Sequence, residues 1–448
     1  MREIFGYVDR NRERFLGELF TLIRQPSISA QNVGVAECAS LLKSQMEAIG
    51  IPARILPTTG HPVVFGELAS PEARRTILIY GHYDVQPPDP LDLWNTPPFE
   101  PTIKDGRIWG RGTGDNKGQF FAHLKAVEAV RTIAGHLPVN VKFLFEGEEE
   151  ISSRSLRGFI EANRALLAAD YAFCSDGPML PNHQPTVLFG VRGILGVEVS
   201  AKGANRDVHS GNLGVFVPAP AWRLVHFLST LKDPQGRILI EGFDADVVPP
   251  TPLERDMLRK IPFDPVVLTG LGLPAGSPEA GAGFFERLMF QPALNINGLT
   301  SGYQGPGSKT IVPHRASAKL DMRLVVNQEP DDIFEKLVSH AKAHGFDDIE
   351  IERRGGFYPS RTPLDHPLGG AAARAVRQGF GKEPILQPCM GGSDPDYYFT
   401  KVLGIPRVNV PYAPHDENNH APNESIMVEG FFSGIKTTAA FLHEAATL

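Results

Sequence analysis

Apolar residues recur at helical spacing from residue 4 to residue 24, as Ile4, Phe5, Val8, Phe15, Leu19, Leu22 and Ile23. Short apolar runs follow at 76–80, 139–145 and 171–175, each of a length that suits a buried strand. Between them lie helical patterns near 117–133 and 154–168. Strands alternating with helices require crossover connections, which predicts an α/β unit on a mostly parallel sheet. After about residue 192 the texture changes. LGVEVSAK at 195–202 and the run 315–325 alternate apolar with polar, the mark of half-exposed antiparallel strands. Helical patterns near 218–231 and 330–345 accompany them. A stretch rich in Pro and Gly, 244–283, reads as loop or extended cover. From about 366 the first texture returns, with helices near 366–380 and 427–445 and a strand near 407–410.

Composition narrows this only a little. A chain of 448 residues is long for one core, so two domains are expected. The 44 basic and 51 acidic residues leave a formal charge of −7, and no Lys/Arg run is long enough to track phosphates, which argues against nucleic acid. The charged start, MREIFGYVDRNRERF, does not read as a signal peptide, and no run of about 18 apolar residues offers a membrane span. Cys38, Cys174 and Cys389 are odd in number and lack C-x-x-C spacing, so neither a disulfide framework nor a zinc ribbon is expected. A reducing cytoplasm is the simplest location.

The candidate chemistry gathers where the predicted strands end. His82 and Asp84 follow one strand, the glutamates of Glu146-Gly147-Glu148-Glu149-Glu150 follow a second, and Asp176 follows a third. Ligands of open α/β sheets collect at such carboxyl ends. Taken singly, each is an ordinary turn or a solvated acidic loop; the third in succession carries more weight. GRGTGDNKG at 110–118 could cradle a phosphate, but its Lys-Gly order is wrong for a P-loop, and Asp115 stands where an anion would bind. Its glycines can equally place Asp115 between two cations. With His420 in the distant loop Asn418-Asn419-His420-Ala421-Pro422, three carboxylates and two imidazoles make a set that two zinc-like ions require. Asp84 can hold the second ring nitrogen of His82. Glu149 is left over as a carboxylate without a structural task. If His420 joins these ligands, the chain returns to its first domain, and the middle is an insertion. The expected division is 1–191 with 361–448 for the catalytic unit, and 192–360 for the insert. His123, His136, His183 and His226 read as surface or core residues.

GHYDVQPPDP, LWNTPPFEP, GRIWGRGTGDNKGQ, FEGEEEISS, SDG, GVRGILGVEV, DVHSG, GSKTIVP, MRLV and NNHAPNE occur in register over nearly the whole chain. Together they resemble the aminoacylase/glutamate carboxypeptidase/carnosinase family of co-catalytic metallopeptidases, and within it the cytosolic nonspecific dipeptidases. The resemblance implies a zinc-peptidase-like catalytic domain with an inserted α+β lid and dimerisation domain. It implies His82, Asp115 and Asp176 on one metal, and Asp115, Glu150 and His420 on the other, with Asp115 bridging. The family places base and ligand as the last two acids before x-Gly-Ser. That makes Glu149 the base and Glu150 the ligand, although Ser152 stands where the glycine is expected.

Two dications outweigh three carboxylates, so such a site would bring a bridging water toward a pKa of about 7. Glu149 would take its proton and pass it to the leaving amine. The resemblance assigns oxyanion stabilisation to His209, reaching across a homodimer from the neighbouring insert. It assigns the substrate carboxylate to Arg323, helped by Gly392 and Ser393, with a further hydrogen bond from Thr310. Met390 departs from the dipeptidase branch, which tends to carry a charged residue there. The expected activity is hydrolysis of dipeptides with a free carboxylate. The alternatives are removal of acetyl or succinyl groups from N-acyl amino acids by the same site, and a catalytically silent metal-holding protein. Zinc suits the ligands; manganese or cobalt would also fit.

Overall fold

The run ILIY at 77–80 is apolar at every position, as a strand covered on both faces must be. Its side chains divide accordingly: Ile77 and Ile79 enter one core, and Leu78 and Tyr80 the other. Phe143 and Phe145 part from Leu144 in the same way. In the computed structural model, which describes residues 1–263, 271 and 281–448, these strands lie at the centre of an eight-stranded sheet. Its order is Ala53–Leu56, Val63–Leu68, Asn140–Glu146, Thr76–His82, Tyr171–Cys174, Arg407–Asn409, Thr186–Leu188 and Ile385–Gln387. The four middle strands pair in parallel, while the pairings at the 53–68 edge are antiparallel.

Helices Lys117–Ala134, Pro367–Phe380 and Val428–Ala445 cover one face together with the N-terminal helices. Leu156–Ala162 and the turn Tyr398–Leu403 cover the other. The return of the chain after 366 is therefore structural: Arg407–Asn409 runs beside Tyr171–Cys174, and Phe441 stacks on Phe173 at 4.0 Å. Burying each such large side chain contributes roughly 1.5–3 kcal/mol.

A second, wholly antiparallel sheet has the order Ala293–Ser301, Arg315–Leu324, Gly193–Lys202 and Glu350–Phe357. Helices Pro220–Leu231 and Pro330–Ala343 bury Leu224, Phe227, Ile333 and Leu337 against its alternating apolar face.

Two readings of the pattern need correction. The helical start is two helices, Arg2–Arg10 and Arg12–Arg24, because Asn11 leaves helical geometry and its side chain donates to the Tyr7 carbonyl at 2.8 Å. The stretch 244–283 is not all loop. Pro252–Leu258 is a helix that starts on a capping box, with the Thr251 hydroxyl accepting from Glu254 N–H and the Glu254 carboxylate accepting from Thr251 N–H. The remainder of that expectation, at 264–270 and 272–280, lies outside the described residues. No helix among the described residues is long and apolar enough to cross a membrane.

Candidate metal centre

Parallel pairing puts the carboxyl ends of three strands side by side, with His82 in register with Glu146. His82 Nε2 lies 3.1 Å from Asp115 Oδ1 and 3.5 Å from Asp176 Oδ2. His420 Nε2 lies 3.1 Å from Asp115 Oδ2 and 3.2 Å from Glu150 Oε2. Each oxygen of Asp115 thus faces a different imidazole, and the two triads share that one carboxylate. Tetrahedral ligands at about 2.0 Å from an ion stand roughly 3.3 Å from one another, so this spacing fits two ions bridged by Asp115. A further observation agrees. His82 Nε2 is buried and, among the described residues, has no hydrogen-bond partner, which leaves its lone pair for a metal.

The surrounding groups orient these ligands. His82 Nδ1 lies 3.1 Å from the Asp84 carbonyl oxygen, closer than the 3.4 Å to its carboxylate. That carboxylate also accepts from the backbone N–H groups of Glu149 and Glu150, at 3.2 and 3.1 Å. Asp84 therefore steadies the histidine and the acidic turn together. Asn116 and Asn409 brace the other ligands: Asn116 donates to the Ser175 carbonyl, and Asn409 accepts from Asp176 N–H while donating to its carbonyl. Gln86 donates to Glu150 Oε2 at 2.9 Å.

The acidic run resolves into separate tasks. Glu146 accepts from the Tyr80 hydroxyl at 2.7 Å and from Ser153 at 2.9 Å, and burial pushes its carboxyl up to about 8. Glu148 accepts from the N–H groups of His61 and Ser155. Glu150 faces His420. Glu149 forms no side-chain hydrogen bond among the described residues, and its carboxyl is pushed well up by burial and by the charges of Glu150, Asp176 and Asp115. Burial and Asp115 likewise raise Glu150, to about 7, whereas hydrogen bonds to Asp115 and Glu150 raise His420 to about 11. Burial alone would raise Asp115, but the imidazoles of His420 and His82 that face its oxygens outweigh it and pull it down. So dense a set of carboxylates calls for positive charge, which dications provide.

Ser152 follows this turn with φ 74° and ψ 33°, the left-handed region where glycine carries no penalty. Ser152→Gly is therefore expected to leave activity unchanged and to raise stability by up to about 1 kcal/mol. Chemical denaturation checks this, and a loss of stability would show that the serine side chain has a task of its own.

Two acids beyond the sequence reading shape the glycine-rich loop. Glu424 accepts from the N–H groups of Gly112, Gly114 and Asp115 at 3.0, 2.8 and 2.9 Å, and from Arg111 Nη1 at 2.8 Å. The donors that could cradle a phosphate are already occupied by this carboxylate. Glu417 is buried against Gly114, where a Cβ would come within 2.2 Å of its Oε2. Burial, Asp115 and Glu424 push its carboxyl well up, which favours the neutral form.

The remaining candidates fall into two groups. Arg323 Nη1 donates to Ser393 Oγ at 3.2 Å, with Gly392 next to it in the turn. That turn is anchored by buried Arg407, which donates to both oxygens of Asp394 at 2.9 Å and also to Asp396. His209 and Thr310 form the other group. Val208–His209 pairs with Ile311–Val312, and Ser210 N–H donates to the Thr310 carbonyl at 3.0 Å. Both residues are exposed, and His209 Nδ1 accepts from Gly211 N–H. No hydrogen bond or ion pair among the described residues joins His209 to the ligand triads.

Known proteins share this fold. An M20 family metallo-carboxypeptidase from Sulfolobus solfataricus superposes with a TM-score of 0.90 at 39% identity, covering 97% of this chain and 99% of that one. Human carnosine dipeptidase 1 superposes with a TM-score of 0.82 at 29% identity, over 100% and 99% of the two chains. The Cys-Gly metallodipeptidase of Schizosaccharomyces pombe is 28% identical over 100% of this chain and 98% of its own length. The model of peptidase family M20/M25/M40 matches residues 78–444, a span that includes every ligand of both triads. With its sheet, its shared aspartate and this match in agreement, the chain belongs to peptidase family M20/M25/M40.

Proposed function

We propose that this metallopeptidase is a dipeptidase, which hydrolyses the amide bond of dipeptides or related small substrates carrying a free carboxylate. The observation that carries the reading is Asp115 shared between two ligand triads, with the Glu149 carboxylate beside them and, among the described residues, without a hydrogen bond of its own. The relatives named as dipeptidases support the substrate class. His82, Asp115 and Asp176 would hold one divalent ion, and Asp115, Glu150 and His420 the other. When bound, such ions supply Lewis acidity and make water acidic enough to ionise near neutral pH; zinc suits the donors best, ahead of manganese or cobalt.

Glu149 takes the proton of the attacking water and returns it to the leaving amine. Its buried, negatively charged surroundings raise its proton affinity, which suits it to carry that proton between the two steps. Arg323, Ser393 and the backbone at Gly392 hold the substrate carboxylate. His209 donates to the developing oxyanion from a second copy of the chain, with Thr310 next to it. Residues 1–191 and 361–448 act as the catalytic unit, and 192–360 as lid and dimerisation unit. Exposed apolar residues support pairing through the insert: Val215 is 93% exposed and Phe216 81%, close to His209, while Ile296 and Leu299 lie on an edge strand. Three buried free cysteines fit the cytoplasm.

A panel of dipeptides against N-acetyl and N-succinyl amino acids tests the assignment. Turnover of the acylated amino acids alone would make the enzyme a deacylase. Arg323→Met is expected to raise KM for a free dipeptide by about 10–100-fold with little change in kcat. The C-terminally amidated dipeptide should be a poor substrate for both proteins. Equal losses on acid and amide would remove Arg323 from carboxylate recognition.

A further inference from the structure

Behind the turn that holds Gly392 and Ser393 lies a cavity of about 350 Å³ that the reaction does not use. It meets that turn at two points. Arg192 N–H donates to the Gly392 carbonyl at 3.1 Å, and Leu288 packs beside Gly391. Three cations, Arg192, Lys232 and Arg287, line the cavity, and among the described residues no carboxylate does. Lys232 and Arg287 are exposed, whereas Arg192 is only 5% exposed. Arg192 Nη2 donates to the Gln291 carbonyl at 2.9 Å, but its Nε has no partner, and it forms no ion pair among the described residues. Burial lowers the pKa of this guanidinium and, with the nearby charge of Arg323, outweighs the upward pull of Cys389 and Asp321. Asp321 acts on it only from beyond ion-pair distance; a buried guanidinium without a paired carboxylate is disfavoured, and a planar fork with a spare donor matches an oxyanion.

We infer that this cavity binds a second anionic group, a carboxylate or comparable small oxyanion, beside the one that Arg323 and Ser393 hold. Two sources share that chemistry: the acidic side chain of a substrate's C-terminal residue, and a free anion. The first rests on the dipeptidase reading; the second does not.

The metal-loaded enzyme is assayed on Ala-Asp against Ala-Asn and on Ala-Glu against Ala-Gln, and is titrated calorimetrically with inorganic phosphate. The variants are Arg192→Met, the rim pair Lys232→Met/Arg287→Met, and Arg323→Met for the titration. If the substrate supplies the anion, the acidic dipeptides are favoured by about tenfold or more in KM. Arg192→Met removes that preference, and the rim pair weakens it. If a free anion is the occupant, the dipeptides show no preference, and phosphate binding saturates in the parent and in Arg323→Met but is lost in Arg192→Met. Should Arg192→Met fail to fold, the rim pair decides by the same signs. Equal use of acid and amide without saturable phosphate binding would overturn the inference. So would preference or binding that survives both the Arg192 and the rim substitutions. If no dipeptide is cleaved, the dipeptidase reading fails, and the phosphate titration alone decides the cavity.

Discussion

Glu149→Gln is expected to cut kcat by about 10²–10⁴-fold while both metal ions stay bound and KM changes little. Glutamine keeps the shape of the side chain and removes its ability to accept a proton. The four glutamates of the run can be told apart by what they touch. Glu146 is held by Tyr80 and Ser153, Glu148 caps the N–H groups of His61 and Ser155, and Glu150 meets His420 and Gln86. Glu149 alone among them has no such partner among the described residues. Glu150→Gln should behave differently, with metal loss preceding the loss of rate. Metal analysis beside steady-state kinetics separates the two variants. If Glu149→Gln lost metal and Glu150→Gln kept it, the assignments of base and ligand would have to be exchanged.

His209→Ala is expected to lower kcat by about 10²–10³-fold with metal content unchanged, as for loss of one donor to an oxyanion. His209 is exposed at a strand edge next to Thr310 and, among the described residues, forms no hydrogen bond or ion pair with the metal ligands of its own chain. On the proposed reading its role depends on a second copy, which subunit exchange can reveal. When inactive His209→Ala and inactive Glu149→Gln proteins are mixed equally, half of the dimers are hybrids. Each hybrid holds one site with an intact Glu149 and the partner copy's intact histidine, so roughly a quarter of the parent activity should return. No recovery despite exchange would place the histidine's action within one chain or remove it from the reaction.

The sequence made the strands of the large sheet legible because both of their faces are buried, which writes a continuous apolar run. The candidate ligands were legible for a related reason: His82, the acidic turn and Asp176 each follow such a run, where parallel strands must converge. The supports were not. Glu424 acts on Gly112, Gly114 and Asp115 from some 310 residues away, and a lone acid beside His420 carries no sign of that pairing. Arg407 reads as an ordinary strand residue, yet it is 1% exposed and fixes the turn that holds Gly392 and Ser393 through Asp394. Glu146 and Glu148 look the same as Glu149 and Glu150 in the sequence because only tertiary neighbours distinguish them. The helix Pro252–Leu258 did leave a signal, the Thr-Pro-Leu-Glu capping box. The Pro/Gly content around it obscured that signal. At Ser152 the departure from glycine is visible in the sequence, while its meaning, a left-handed backbone, is visible only in the fold.

The most direct test of the central claim is to strip the protein with a chelator, restore zinc stepwise, and follow hydrolysis of a free dipeptide against bound metal. Two ions per chain, with dipeptide cleavage rising as the sites fill, is the expected result. Saturation at a single ion, or two bound ions with no cleavage of any dipeptide, would contradict it.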